Sequence, residues 1–421
     1  MDRSRVLLPA TVARFVVVAL FFDSLAPLFP VIARDHALSD AAFQALLGAC
    51  FLVFALAQLL SVPVIRRIGL HHAAGLSCLY LGAAAAVICT SGHPAVFAVL
   101  FVSLFGVNSI GSNATRVALR NVTSDEGFRR LFAWASSFVE LMQTATPVLA
   151  GAIAAAFGWR WAVVALVAPV VLAGAVIEWS TVRHRSPHPN PQTAGAYGGW
   201  RTVLSRRTFL IPTLMAAALQ ISFAPLLARL PFLAANDLGL GPFGVGVVLC
   251  LDSVVVALGL LVCGLLAKRL ATRAKALIGC AILLGGVVLM VSSLWTTPWF
   301  GVAGILLATA AFGFIYIPCA SEALNGPETE RVTASALFGF LQPVVAGISV
   351  GLGSLLPLSL LTGGALMTAL ALVLTTLLAA LWRTGPAPAT GADTDTGADM
   401  GEGAGPPATD TGAGPPAQRL D

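Results

Sequence analysis

Three acidic residues lie deep inside apolar stretches of the chain: Asp23, Glu140 and Asp252. A charge at the centre of a bilayer costs about 2.5–3.5 kcal/mol on insertion scales, so an acid there is a candidate for proton coupling. Asp23 is the leading candidate because Pro27 and Pro30 follow it, and prolines that bend a membrane helix leave free carbonyl groups that must line a cavity. The alternative for all three acids is a structural hydrogen bond to a neighbouring helix.

Other polar side chains in these stretches are candidates for contact with a substrate. Gln143 and Pro147 lie 3 and 7 residues after Glu140 and share its helical face, so this face is expected to border a filled cavity or to tie helices together. Glu178 and Arg229 lie near the ends of their stretches, where long side chains can reach the aqueous interface. The candidates for the substrate cavity, with the same alternative of helix–helix ties, are Phe22, Gln58, Asn108, Asn113 and Gln143.

The composition is that of a protein surrounded largely by lipid. Apolar residues make up 57% of the chain, charged residues only 10%, and the mean hydropathy is +0.89. A soluble domain has roughly 25% charged residues. Backbone groups in lipid must be satisfied within each segment, so the apolar stretches are predicted to be helices in an all-α membrane protein. We place about twelve spans near residues 12–33, 42–65, 73–90, 94–115, 131–156, 161–180, 208–232, 243–267, 275–294, 298–318, 332–355 and 358–382.

Motifs for other classes of function are missing from the sequence. The 7 cysteines fall inside apolar runs without a CxxC pair, and the 6 histidines fall in the predicted loops. The chain has no Walker A or HExxH pattern, and no GxGxxG pattern after a predicted strand. The net charge of +5 reflects basic residues at helix ends. We therefore expect no metal, cofactor, nucleic-acid partner or enzymatic activity.

The chain divides into two similar halves. Residues 183–207 form a polar, proline-containing linker between predicted six-helix bundles at 1–182 and 208–383. The halves resemble each other at an offset near 200 residues, as LAPLFP in the first and FAPLLARLPF in the second show. Residues 384–421 are rich in Gly, Ala, Pro, Thr and Asp and are predicted to be a disordered tail.

Basic residues are concentrated on one side of the predicted membrane topology. Under the positive-inside rule, this asymmetry predicts a multi-pass protein of the cytoplasmic membrane with both termini in the cytoplasm. The loops on the predicted cytoplasmic side contain Arg66, Arg67, Arg116, Arg120, Arg129, Arg130, the connector Arg183–Arg207, Lys268, Arg269, Arg273, Lys275 and Arg331, whereas those on the other side contain Arg34, Arg160 and Arg229.

Several short motifs resemble the major facilitator superfamily, and within it the Bcr/CflA-type drug:proton antiporters. They are DSLAPLFP at 23–30, FALAQLL at 54–60 and GWRW at 158–161, and the resemblance covers about residues 10–382. It implies two six-helix bundles with a substrate site between them near the middle of the membrane.

The resemblance also implies roles for particular residues. Asp23 matches the acid in the drug and proton cavity of that branch, and Gln58 matches the glutamine before the loop that joins the second and third spans. Pro147 and Gly151 match the antiporter motif, where close helix packing is thought to seal the protein against leak.

Two departures from the family pattern concern gating and coupling. The loop pattern GxxxDRxGRR reads VPVIRRIGLHH here, so that Arg67 and Gly69 match but Arg66 replaces the acid. The arginine of the fourth span, usually linked to proton coupling, is absent, and Val102 precedes Gly106 there. Gating and coupling are therefore expected to differ from the usual route.

Together these features predict a secondary active transporter. We expect proton-coupled efflux of a small, largely apolar compound, such as an antibiotic or secondary metabolite, by a protein that functions as a monomer in the lipid bilayer. One alternative is an uptake or facilitated-diffusion carrier for a small nutrient. Another, of a different class, is a polytopic membrane enzyme or sensor that transports nothing.

The predicted topology can be tested by cysteine labelling. Cysteines placed at Arg34, Arg160 or Asp237 should react with an impermeant reagent from outside the cell, whereas one placed at Arg207 should react only after permeabilisation. Labelling of the Arg207 position from outside would invert the topology.

Overall fold

A computed structural model describes the backbone of residues 3–122, 125–183, 200–266, 269–325, 328–356 and 359–382. Within these ranges the side chains of 3–6, 120–122, 125–133, 136, 137, 140, 183 and 328–332 are outside the described residues. The predicted tail at 384–421 and most of the predicted linker, residues 184–199, also lie outside them.

All the regular elements of the described residues are helices, as the composition predicts. The bounds are α1 Arg3–Asp23, a 3-10 helix Ala26–Leu28, α2 Phe29–Asp35, α3 Asp40–Ile68, α4 Leu70–Thr90, α5 Pro94–Val122, α6 Asp125–Phe157, α7 Trp159–Arg183, α8 Trp200–Ser205, α9 Arg207–Asn236, α10 Pro242–Leu265, α11 Thr272–Ser292, α12 Pro298–Leu324, α13 Glu328–Leu355 and α14 Leu360–Leu381. In the described part of the predicted linker, residues Trp200–Ser205 form the short helix α8.

Eleven helical stretches of the described residues are long and apolar enough to cross a membrane. The remaining predicted span, 131–156, is the fifth along the chain and lies on α6, which contributes the shorter apolar segment Leu141–Phe157. Large apolar side chains such as Val99, which is 70% exposed, and Leu172, which is 65% exposed, face outward from the helices. An exterior of this kind suits lipid and not water, so the prediction of a multi-pass membrane protein is confirmed.

The first span is interrupted where the prolines predict a bend. Helix α1 ends at Asp23, a short 3-10 helix follows, and α2 continues to Asp35. Pro27 and Pro30 have no N–H group, so neither can donate to the carbonyl group four residues earlier. The break leaves Asp23 at the end of a helix in the interior of the span.

The helices pack into two bundles, α1–α7 and α9–α14, each with its own apolar core. Phe21, Phe43 and Phe101 belong to the first core, which extends to Phe232 of α9. Phe43 and Phe232 pack with their ring centroids 5.5 Å apart. The second core surrounds residues such as Ile315. The predicted all-α architecture of two bundles is thus observed, while the residue boundaries of the two halves stay a prediction.

Two seams of small residues join the bundles near one end of the protein. We call this the distal end; it is where α2 leads into α3 and α9 leads into α10. On the seam between α3 and α13, a Cβ atom placed on Gly48 would lie 2.8 Å from the backbone nitrogen of Gly351. On the seam between α6 and α10, a Cβ atom placed on Gly246 would lie 2.5 Å from the carbonyl oxygen of Pro147. Both pairs of helices therefore touch backbone to backbone.

The α6–α10 seam can be tested with two glycines on one helix. Gly246→Ala should lower the melting temperature, because its methyl group meets Pro147 backbone and overpacking costs about 1–3 kcal/mol. Gly264→Ala, where nothing lies within 4 Å, should leave it unchanged or raise it, since alanine favours a helix by about 0.5–1 kcal/mol. Thermal unfolding in detergent measures both. Equal melting temperatures for the two variants would show that the seam is not tight.

Candidate functional site

A cavity of about 470 Å³ lies between the two bundles at the level of the break in the first span. Both bundles contribute to its walls, and most of the lining side chains are apolar, which is typical of a site for a small molecule. The lining residues are Phe22, Asp23, Ala26, Phe29, Leu47, Phe51, Phe105, Gln143, Pro147, Phe223, Ala224, Leu227, Ala228, Leu249, Asp252, Ser253, Val256, Ala257, Leu260 and Phe312.

Aromatic rings cover opposite walls of this cavity. In the first bundle, Phe22 meets Phe105 edge to face, with their ring centroids 4.8 Å apart. In the second bundle, Phe223 stacks on Phe312 at 4.6 Å, and Phe312 stacks on Tyr316 at 4.4 Å. Rings in these arrangements offer broad apolar faces that attract apolar, aromatic or cationic groups. The predicted cavity residue Phe22 is part of this lining.

Asp23 contributes a carboxyl group to the wall formed by the first bundle. Gln143 of α6 donates a hydrogen bond from its side-chain amide to the Asp23 carboxyl group. The pair joins the interrupted first span to α6, and both side chains border the cavity. The structure thus brings together two residues that the sequence singles out for separate reasons.

Asp252 contributes a second carboxyl group, from α10 on the opposite wall. Its side chain is only 4% exposed, and the hydroxyl group of Thr309 lies 2.7 Å from its Oδ1 atom. The same hydroxyl group lies 2.9 Å from the carbonyl oxygen of Leu306. One hydroxyl proton serves only one acceptor at a time. A protonated Asp252 can donate to Thr309 while Thr309 donates to Leu306, so this arrangement accommodates the neutral acid as well as the ionised one.

Three predicted cavity residues do not line the cavity: Gln58, Asn108 and Asn113. The Asn113 side-chain amide donates to the hydroxyl group of Ser61 at 3.0 Å, which ties α5 to α3. Asn108 accepts a hydrogen bond from Ser112 one turn further along α5 at 3.0 Å. The Asn113 contact matches the alternative of a hydrogen bond between helices, whereas the Asn108 contact lies within α5.

The third acidic candidate, Glu140, lies on α6, but its side chain is outside the described residues. Among the described side chains, no three His, Cys, Asp or Glu residues come close enough to hold a metal ion.

The predicted gating residues lie at the junction of α3 and α4. Gly69 joins the two helices with a φ of 89°, a left-handed conformation that favours glycine. Arg66 and Arg67 are exposed in the last turn of α3. The Glu178 carboxylate, expected near the interface, accepts a hydrogen bond from Nδ1 of His72 at 2.8 Å, and the His72 side chain is 40% exposed.

Two buried arginines depart from the expectations. Arg229 was expected at the aqueous interface, and that prediction is wrong, because its side chain is only 3% exposed. Arg14 escaped the sequence analysis because it lies only two residues inside the predicted first span, whereas the observed span begins at Leu7. Arg14 is 1% exposed and donates to the carbonyl oxygen of Ala74 at 3.2 Å and to the hydroxyl group of Ser77 at 3.0 Å.

Comparisons with known proteins agree with this architecture. The sequence profile of the Major Facilitator Superfamily matches residues 14–350. Multidrug resistance protein D of Escherichia coli (strain K12) is 25% identical over 345 residues, covering 79% of this chain and 84% of that protein.

Among solved structures, an auto-inhibited peptide transporter of the POT family covers 92% of this chain and 99% of its own, with a TM-score of 0.71 and 12% identity. The xylose transporter XylE of E. coli in an inward-open conformation covers 89% of this chain and 94% of its own, with a TM-score of 0.61 and 12% identity. At these identities the two structures support the fold alone.

The contact between Asp252 and Thr309 leads to a stability prediction. Thr309→Val removes the hydroxyl group and leaves a buried carboxyl group without this partner, which should cost about 1–3 kcal/mol. Thr309→Ser keeps the hydroxyl group and should remain closer to the wild type. Thermal unfolding in detergent compares the two variants. A valine variant as stable as the serine variant would mean that the hydrogen bond does not stabilise the fold.

Proposed function

We propose that this chain, which belongs to the major facilitator superfamily, exports a small, largely apolar compound in exchange for protons. The observation that supports this most directly is the cavity, where aromatic rings and two carboxyl groups, Asp23 and Asp252, border one space between the bundles. The relative in E. coli, named for multidrug resistance, is in keeping with efflux. A membrane-embedded enzyme is set aside because the superfamily consists of transporters.

The carboxyl group of Asp23 provides a physical basis for coupling. An ionised carboxylate loses its water when a cavity closes around it, and this loss must be offset. A bound proton removes the charge, and a bound substrate can compensate it through its own polar or cationic groups. The carrier therefore changes orientation readily when it holds a proton or a substrate, and only slowly when it is empty and ionised. This restriction makes the entry of protons drive the exit of substrate.

The available energy is sufficient for export. One proton that moves through a potential of 100 mV supplies about 2.3 kcal/mol, equivalent to a concentration ratio of roughly 50. Asp23 is the principal proton-binding residue in this proposal, with Gln143 as its hydrogen-bond donor. Glu140 and Asp252 are the further candidates. Val102 stands where the family has its coupling arginine, so coupling here does not use that residue.

We further propose that the protein functions as a monomer in the cytoplasmic membrane, with both termini in the cytoplasm. This orientation places the distal end, with its two glycine seams, at the outer face of the membrane. Residues 183–207 then link the two halves on the cytoplasmic side. The asymmetry of the basic residues supports this assignment.

Uptake or facilitated diffusion by the same fold is the second candidate. Val102 favours it, since the arginine usually associated with proton coupling is missing. The two functions differ in a measurable way: an antiporter accumulates substrate against its gradient when a pH gradient is imposed, whereas a facilitated-diffusion carrier only equilibrates it.

Asp23→Asn tests the proposed role of this acid. Asparagine mimics the neutral carboxyl group, so the variant should insert normally but lose pH-driven accumulation of a fluorescent lipophilic dye in inverted membrane vesicles. Passive exchange of the dye should persist, because the shape of the cavity is unchanged.

Glu140→Gln is the matched control at equal protein level and should weaken accumulation less than Asp23→Asn. Asp252→Asn, on the opposite wall, shows whether the second buried acid is also required. Full accumulation by Asp23→Asn would remove Asp23 from the coupling mechanism. Dye that equilibrates without accumulation in the wild type would favour facilitated diffusion.

A further inference from the structure

Arg229 of α9 connects the two bundles near the distal end. Its Nε atom donates to the side-chain oxygen of Gln44 on α3 at 3.3 Å, and its Nη2 atom donates to the carbonyl oxygen of Gly353 on α13 at 2.7 Å. Gln44 belongs to the first bundle and Gly353 to the second. The guanidinium group therefore lies in the contact between the bundles, and not at the aqueous interface.

The charge of this guanidinium group is not neutralised by an ion pair among the described residues. Both of its hydrogen-bond partners are uncharged, and neither ion pair found in the described part of the chain includes Arg229. Its Nη1 atom is buried and has no hydrogen-bond partner there. A cation held in this way is costly, and residues of this kind inside a membrane usually have a function.

The surrounding helices leave room for the guanidinium group. A Cβ atom placed on Gly353 would lie 3.2 Å from Nη2 of Arg229, and one placed on Gly363 of α14 would lie 2.9 Å from its Cζ atom. Larger residues at these two positions would displace the group. The small residues and the hydrogen bonds together hold the positive charge at one position.

This position lies between the cavity and the distal end. Ala228, next to Arg229 in α9, lines the cavity, and so does Leu47, which lies one turn from Gln44 in α3. Further toward the distal end, the Asn236 side-chain amide donates to the Asp40 carboxyl group at 2.7 Å. Because the guanidinium group bridges α9 and α3 at this level, a proton or other cation that passed between these two helices here would come close to it.

We infer that Arg229 is an electrostatic barrier that prevents protons and other small cations from leaking through the contact between the bundles into the cavity. A fixed positive charge in a region of low dielectric constant raises the energy of any other cation nearby, as arginines do in selective membrane pores. The two carboxyl groups in the cavity attract protons, so an unguarded contact would dissipate the proton gradient. This inference goes beyond the proposed function and does not depend on the substrate or the direction of transport.

A mechanical role for Arg229 makes a different prediction. If the hydrogen bond to Gln44 acted only as a latch between the bundles, removal of either partner would open the contact equally. If the charge is what matters, only loss of the charge should produce a leak. Gln44→Leu removes the hydrogen bond to Arg229 and keeps the charge, so it separates the two roles.

The experiment measures proton leak in liposomes that contain the purified full-length protein and no substrate. A pH gradient is imposed, the membrane potential is clamped with potassium and valinomycin, and a trapped pH-sensitive dye reports proton entry. Arg229→Gln and Arg229→Met should leak on the order of tenfold faster than the wild type. Arg229→Lys and Gln44→Leu should match the wild type. Two neutral variants are used so that poor folding of one leaves the other as a test.

An equal proton leak in Gln44→Leu and in the neutral variants would show that Arg229 acts as a mechanical latch between the bundles and not as an electrostatic barrier. No added leak in a well-folded neutral variant would overturn the inference. Because the leak assay contains no substrate, a negative result would not bear on the proposed export. Conversely, loss of export in the vesicle assay would not bear on the proposed barrier.

Discussion

The lack of water in the bilayer core is the constraint on which this structure depends. A polar side chain in that region that is not satisfied within its own helix must find a partner on another helix, border a cavity, or remain at a cost. The helices, the interruption at Pro27 and Pro30, and the placement of the few buried charges all follow from it. Each such polar side chain within a span therefore falls under one of these three arrangements.

The described residues show all three arrangements. Asn113 bonds to Ser61 and holds two helices together. Asp23 and Asp252 border the cavity. Arg229 has two uncharged partners and one unpartnered nitrogen, which is the most costly arrangement of the three. In the account proposed here, the cavity acids exchange protons and the buried arginine restricts the path by which protons reach them.

Much of this could be predicted from the sequence because the constraint leaves few choices. Long apolar stretches predict the helices, and Pro27 with Pro30 predicts the break beside Asp23. Contacts between helices that are distant in the sequence could not be predicted from residue patterns within one helix. The hydrogen bonds from Gln143 to Asp23 and from Thr309 to Asp252 depend on how the helices pack against each other, which periodicity does not specify. The prediction for Arg229 is wrong because a position near a helix end suggests exposure to water, whereas the approach of α3, α13 and α14 buries the side chain.

In the proposed export cycle, movement of substrate and movement of protons are obligatorily linked through the cavity. The most direct test of this link is proton flux driven by substrate alone. Liposomes that contain the protein are loaded with a transported dye and diluted into dye-free buffer at equal pH. Exit of dye should drive protons inward against a growing pH gradient, and Asp23→Asn should abolish this proton movement. Exit of dye at a normal rate with no proton movement in the wild type would contradict the link.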